Sequence, residues 1–199
     1  MGSLSPTVDL REHPVEELER ELLKRLGDQP PALLWVARRP KKNWFRELTS
    51  YRPLVLTSSA RYEQILWLSP AVDPAVPEDW VLECHQILEG YRELFQGRDL
   101  DGYSELVQSH INSQENDLFP RLLGFLPSAE RALKELTYEH RGMEAGLTRL
   151  PGLLRQWDRG ELDARAREHF DLEFFHLVEH NLERKLEAVY PALAYFERG

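Results

Sequence analysis

A single cysteine, Cys84, stands in 199 residues. That excludes an internal disulfide framework and any cysteine-rich zinc site. Long apolar runs are missing too, none approaching the ~20 residues that cross a bilayer. No charged-then-apolar leader opens the chain, so the expectation is a cytoplasmic protein with no membrane partner. Excess positive charge is also absent: 25 Lys and Arg face 34 Asp and Glu, for a net charge of −9. The imbalance is local, because residues 1–78 hold 11 basic and 11 acidic side chains while 79–199 hold 14 and 23. Phosphate neutralisation has little to draw on there, and no nucleic-acid partner is expected.

Proline is present and clustered. Pro70, Pro74 and Pro77 stiffen residues 69–78 into a linker between two unlike segments. Before it, Thr7-Val8-Asp9-Leu10 alternates like a strand, and Pro14 opens a helix through Leu26 with Gly27 as its stop. Residues 32–37, 53–57 and 62–68 read as strands, and Asn43 caps a short helix to Tyr51. The order β-α-β-α-β-β predicts a small two-layer α+β domain over residues 1–68.

After the linker every segment has helical periodicity. One helix runs from Glu78 to Gln96 before Gly97, and a second from Asp99 to Leu123 before Gly124 and Pro127. Ser128 caps a third, which Pro151-Gly152 interrupts, and the fourth runs from Leu162 toward Tyr195 with Pro191 as a kink or end. Short loops make residues 79–199 an all-α up-down four-helix bundle.

Six of the seven histidines lie in this half. His85, His110, His140 and His176 are spaced by about a helix and its return loop, and His180 follows His176 by one turn. Four imidazoles thus meet at one level of a bundle, with a fifth from the last helix. His110 shares a stripe with Tyr103, Val107, Gln114 and Leu118. In the last helix His169, Glu173, His176, His180, Glu183 and Glu187 form a polar row, costly in a dry core unless its members find partners. A metal ion is the strongest partner available to imidazoles and carboxylates together. The alternative for each lone histidine is a hydrogen-bonded core position. Cys84, next to His85, reads as a small core filler.

The run from His110 to Pro120, His-x-x-x-Gln-Glu-x-x-Leu-Phe-Pro, resembles the H-x-x-x-E-E-x-x-L-F-P signature of hemerythrin-like domains. His176-x-x-x-His180 with Glu183, Glu187 and Val189-Tyr190-Pro191 is similar to its second copy, and His85 and His140 fall at the single-histidine positions. The resemblance covers roughly residues 79–199. It implies a bundle holding two non-haem iron ions, with His85, His110, Glu115, His140, His176 and His180 as ligands and oxygen or nitric oxide as the small ligand. Gln114 stands where the signature has a bridging glutamate, and a neutral amide cannot bridge two irons as a carboxylate does. Either Glu115 reaches inward through a local bulge, or Glu144, Glu173 or Glu183 substitutes, or the site holds one metal.

Val8-Asp9-Leu10-Arg11 before His13-Pro14 more faintly resembles the opening of sulfur-carrier-like βαβαββ domains. Those carriers use a Cys-Pro dipeptide, and no cysteine occurs here, so persulfide transfer is excluded and docking of a protein partner remains. The expected function is iron-based binding or sensing of oxygen or nitric oxide, or iron handling. Two rivals stand beside it. One is an iron-dependent enzyme reducing nitric oxide or peroxide, or repairing iron–sulfur clusters. The other is a metal-free degenerate interaction module.

Overall fold

The computed structural model describes residues 7–14, 17, 20–21, 24, 32–37, 54–58, 61–67, 75–97 and 99–198. The short helix expected at 43–51 and most of the linker lie outside the described residues.

Four strands form one sheet: β1 (Thr7–Leu10), β2 (Ala32–Ala37), β3 (Leu54–Ser58) and β4 (Tyr62–Trp67). Their order is β1-β2-β4-β3. The β1–β2 pair is parallel, with Val8 opposite Leu34. A parallel pair needs a crossover, and Glu17, Arg20, Glu21 and Lys24 between the strands are helical. The other pairs are antiparallel, and β3 carries a bulge between Val55 and Thr57. The period-two pattern puts Val8, Leu10, Leu34, Val36, Leu54 and Leu56 in the core, and Trp35 is half-buried on the alternate phase.

The described residues from 78 onward are mostly helical: α1 (Glu78–Leu94), α2 (Leu100–Ser113), α3 (Phe119–Phe125), α4 (Glu130–Asp158), α5 (Ala164–Phe170), α6 (His176–Arg184) and α7 (Tyr190–Arg198). Local chemistry sets the boundaries. Gly97, at φ +95°, stops α1 as expected. Asp99 caps α2 by accepting from the Asp101 and Gly102 amides, and Asp163 caps α5 through the Ala166 amide. Pro151 does not interrupt the third helix: α4 continues through it to Asp158. No helix among the described residues is long and apolar enough to cross a membrane.

Three wide π-helical turns join these helices, at Gln114–Leu118, Asp171–Phe175 and Lys185–Val189. Two of them end two residues before a proline, Pro120 and Pro191. A proline has no N–H to donate and its ring crowds the carbonyl four residues back. Widening the preceding turn relieves that crowding, and the Phe119 amide accordingly reaches back five residues to the Gln114 carbonyl. The Leu-Phe-Pro and Val-Tyr-Pro runs therefore set the twist of the helices that carry them.

The chain divides into two compact units, one of residues 1–76, 121–133 and 186–199, the other of 77–120 and 134–185. The first break falls inside the expected linker. Residues 121–133 and 186–199, expected in the helical domain, group with the sheet, and the Pro127–Ala129 turn packs on β3. The second unit contains α1, α2, most of α4, and α5 and α6. Within it, Tyr91 stacks on Phe175 with ring centroids 5.0 Å apart and donates to Asp171 Oδ1. Phe174 lies so close to Gly146 that an added Cβ would fall 1.9 Å from its ring. Only glycine fits there.

Candidate functional site

Lys185 is fully buried. On its helix it continues the buried stripe of Phe174, Val178 and Leu182, where an apolar side chain would be ordinary. An isolated ammonium in such a place costs several kcal/mol, so it must find acceptors. It finds two imidazoles. Lys185 Nζ lies 2.9 Å from His110 Nε2 and 2.8 Å from His140 Nε2, and neither ring is exposed to solvent. His110 comes from the last turn of α2 and His140 from the middle of α4.

An ammonium only donates, so both Nε2 atoms accept and each ring keeps its proton on Nδ1. Each Nδ1 faces a carboxylate. Glu83 Oε2 is 3.1 Å from His110 Nδ1, and Glu115 Oε1 is 2.8 Å from His140 Nδ1. Glu115 in turn accepts from Arg141, which also donates to Glu144 Oε2 at 2.7 Å. The result is a row of carboxylate, imidazole, ammonium, imidazole and carboxylate. Arg141 and the protonated form of Lys185 offset the charges of Glu83 and Glu115. Phe119 covers the His140 ring face, nearly parallel at 7°.

The acidities agree with this pattern. Burial, then the Lys185 charge, lowers His110 to about 4. Burial, then Lys185 and His110, lowers His140 to about 2. Both rings are neutral acceptors at physiological pH. Burial also lowers Lys185 to about 7, against the opposing pull of Cys84, Glu139, Glu83 and Glu115.

Of the six residues expected to bind metal, the fold brings together His110, His140 and Glu115. Glu115 does reach inward at a widened turn, Gln114–Leu118, and its contact there is His140 Nδ1. His85, His176 and His180 lie elsewhere, exposed on their helices. His176 Nδ1 is 3.2 Å from Glu179 and His180 Nδ1 is 3.6 Å from Glu139. The polar row from His169 to His180 is a solvated face, with His176 57% and His180 55% exposed, so it needs no buried partner. In α1 the buried position belongs to Cys84 and the exposed one to His85. Glu144 is tied to Arg141 and Gln108, Glu173 pairs with Arg149, and Glu183 is exposed. Gln114 is buried.

Lys185 and Glu83 were missed in the sequence. The signal was available for Lys185: a lone cation at i+3 from Leu182 and i+7 from Val178, on an apolar stripe. An iron centre does not fit this arrangement. The point at which the two imidazole lone pairs aim is filled by a cation of the chain itself. Among the described residues no three His, Cys, Asp or Glu side chains converge closely enough to hold a metal ion. The chain matches no protein-family model, no curated protein and no solved structure.

Proposed function

We propose that the helices of residues 77–120 and 134–185 form a hemerythrin-like up-down four-helix bundle that works without iron, as an interaction module. The observation that carries this reading is the Lys185 ammonium between the Nε2 atoms of His110 and His140, at 2.9 and 2.8 Å. A module of this kind neither binds oxygen or nitric oxide nor turns them over. Its polar row joins side chains from four helices in one register, a role polar core groups can fill. In this reading the α+β part of the chain contacts a protein partner.

The iron-binding reading keeps one observation in its favour. Both imidazoles are backed at Nδ1 by a carboxylate, the arrangement that orients metal-ligating histidines. Metal analysis decides between the two. Full-length protein expressed in iron-supplemented medium should carry fewer than ~0.3 metal ions per chain, with stability unaffected by a chelator. Two irons per chain with visible charge-transfer bands would overturn the metal-free reading.

A further inference from the structure

We infer that the Lys185 ammonium stands where a metal ion would sit between two ready imidazole ligands, so that replacing this one side chain by a carboxylate, which removes the charge and adds the missing third ligand, creates a site for a divalent transition metal. The inference rests on the metal-free reading and concerns what enforces it.

Three features of the cluster carry it. The two Nε2 lone pairs already converge, since both lie within 2.9 Å of one atom, Lys185 Nζ. The Lys185 contact leaves the Nδ1 proton on each ring, as a metal at Nε2 requires; the Nδ1 of His140 is held by Glu115 at 2.8 Å, and Glu83 lies 3.1 Å from that of His110. Charge is conserved by the exchange. A divalent ion with one new carboxylate supplies the same single positive charge to Glu83 and Glu115 that the ammonium supplies now.

Geometry favours the acidic replacement over mere deletion. Two imidazoles alone are a weak site, whereas two imidazoles and a carboxylate form a facial ligand set that takes Fe(II), Co(II) or Zn(II) with positions left for water. The side chain of glutamate is one atom shorter than that of lysine. Its carboxylate therefore stops short of the present Nζ position, leaving room for an ion near that point. Metal–nitrogen bonds of ~2.0–2.1 Å then need the rings to close in by less than an ångström each. A methionine at 185, close to lysine in length and without charge, fills the space and supplies no hard ligand.

The test uses the full chain as wild type, Lys185→Glu and Lys185→Met, titrated with Co(II) and followed by visible absorption and calorimetry. The expected result is one Co(II) per chain in Lys185→Glu, bound ~100-fold more tightly than by wild type or Lys185→Met. Adding His110→Gln to Lys185→Glu should abolish the gain. Should Lys185→Glu be unfolded without metal, Co(II) or Zn(II) should restore its helical circular dichroism. Binding no tighter than wild type, or no recovery of structure with metal, would overturn the inference. Iron in the wild-type protein would instead overturn the metal-free reading, so the two failures are distinguishable.

Discussion

Lys185 Nζ stands 2.8 Å from His140 Nε2, with both side chains sealed from solvent. The contact joins a cation from the end of one helix to a neutral ring in the middle of another. It is the point at which stability and pH response meet.

Lys185→Ala should be strongly destabilising. It opens a cavity and leaves two buried imidazole acceptors without their donor, together worth ~2–5 kcal/mol. Lys185→Met keeps most of the volume and should cost less, ~1–3 kcal/mol. Urea unfolding of the two variants checks the order. Equal costs would mean that the lost donor outweighs the cavity, and no cost in Lys185→Met would mean that the ammonium is not what satisfies the rings.

Stability should rise with pH across two windows. His110 and His140 are lowered from 6.5 to about 4 and about 2, so below 6.5 the unfolded chain takes up protons that the native protein refuses. Their stabilising effect is full above 6.5 and fades as pH falls toward 4 and below. Lys185, lowered from 10.5 to about 7, acts in the same sense: between 7 and 10.5 the unfolded chain holds the extra proton, and stability again increases with pH. Denaturation midpoints at pH 5, 7 and 9 should climb, with a shallower climb in Lys185→Met. A flat profile would contradict the neutral, buried state of the rings.

His176→Ala and His180→Ala should each change stability by less than ~0.5 kcal/mol, because both side chains are more than half exposed. His140→Ala should cost ~2–4 kcal/mol, since it strands Lys185 and removes the ring stacked on Phe119. Thermal unfolding with and without added iron separates the cases. A large, iron-dependent loss in His176→Ala would restore that residue as a ligand.

Gly146→Ala and Gly152→Ala, both in α4, should move stability in opposite directions. At Gly146 the new methyl would fall 1.9 Å from Phe174, an overpacking cost of ~1–3 kcal/mol or more. At Gly152 nothing lies within 4 Å, and helix propensity should add ~0.5–1 kcal/mol. Equal shifts in melting temperature would argue against the close approach of Phe174 to α4.

Much of the architecture was legible in the chain. The alternation at 7–10, the β-rich runs at 32–37, 53–57 and 62–68, and the stop at Gly97 are local signals, and the elements follow them within a few residues, whereas the third helix runs on through Pro151. The burial of His110 was legible too, because it shares a stripe with Tyr103 and Val107, which are buried. The facing of the last helix was not. A polar row through His176 and His180 and an apolar row through Val178, Leu182 and Lys185 coexist on that helix, and periodicity alone did not rank them. A widened turn adds a residue and rotates everything beyond it by ~100°, so the turn at Asp171–Phe175 resets which row faces inward.

What the sequence alone determined is therefore the set of elements and the residues that start, stop and widen them, since those depend on neighbours a few positions away. The tertiary structure decided the occupant of the interior. It selected Lys185 over His176 and His180, because burying a cation is tolerable only where acceptors from other helices converge. His110 and His140 meet only when α2 and α4 pack against the helix that bears Lys185.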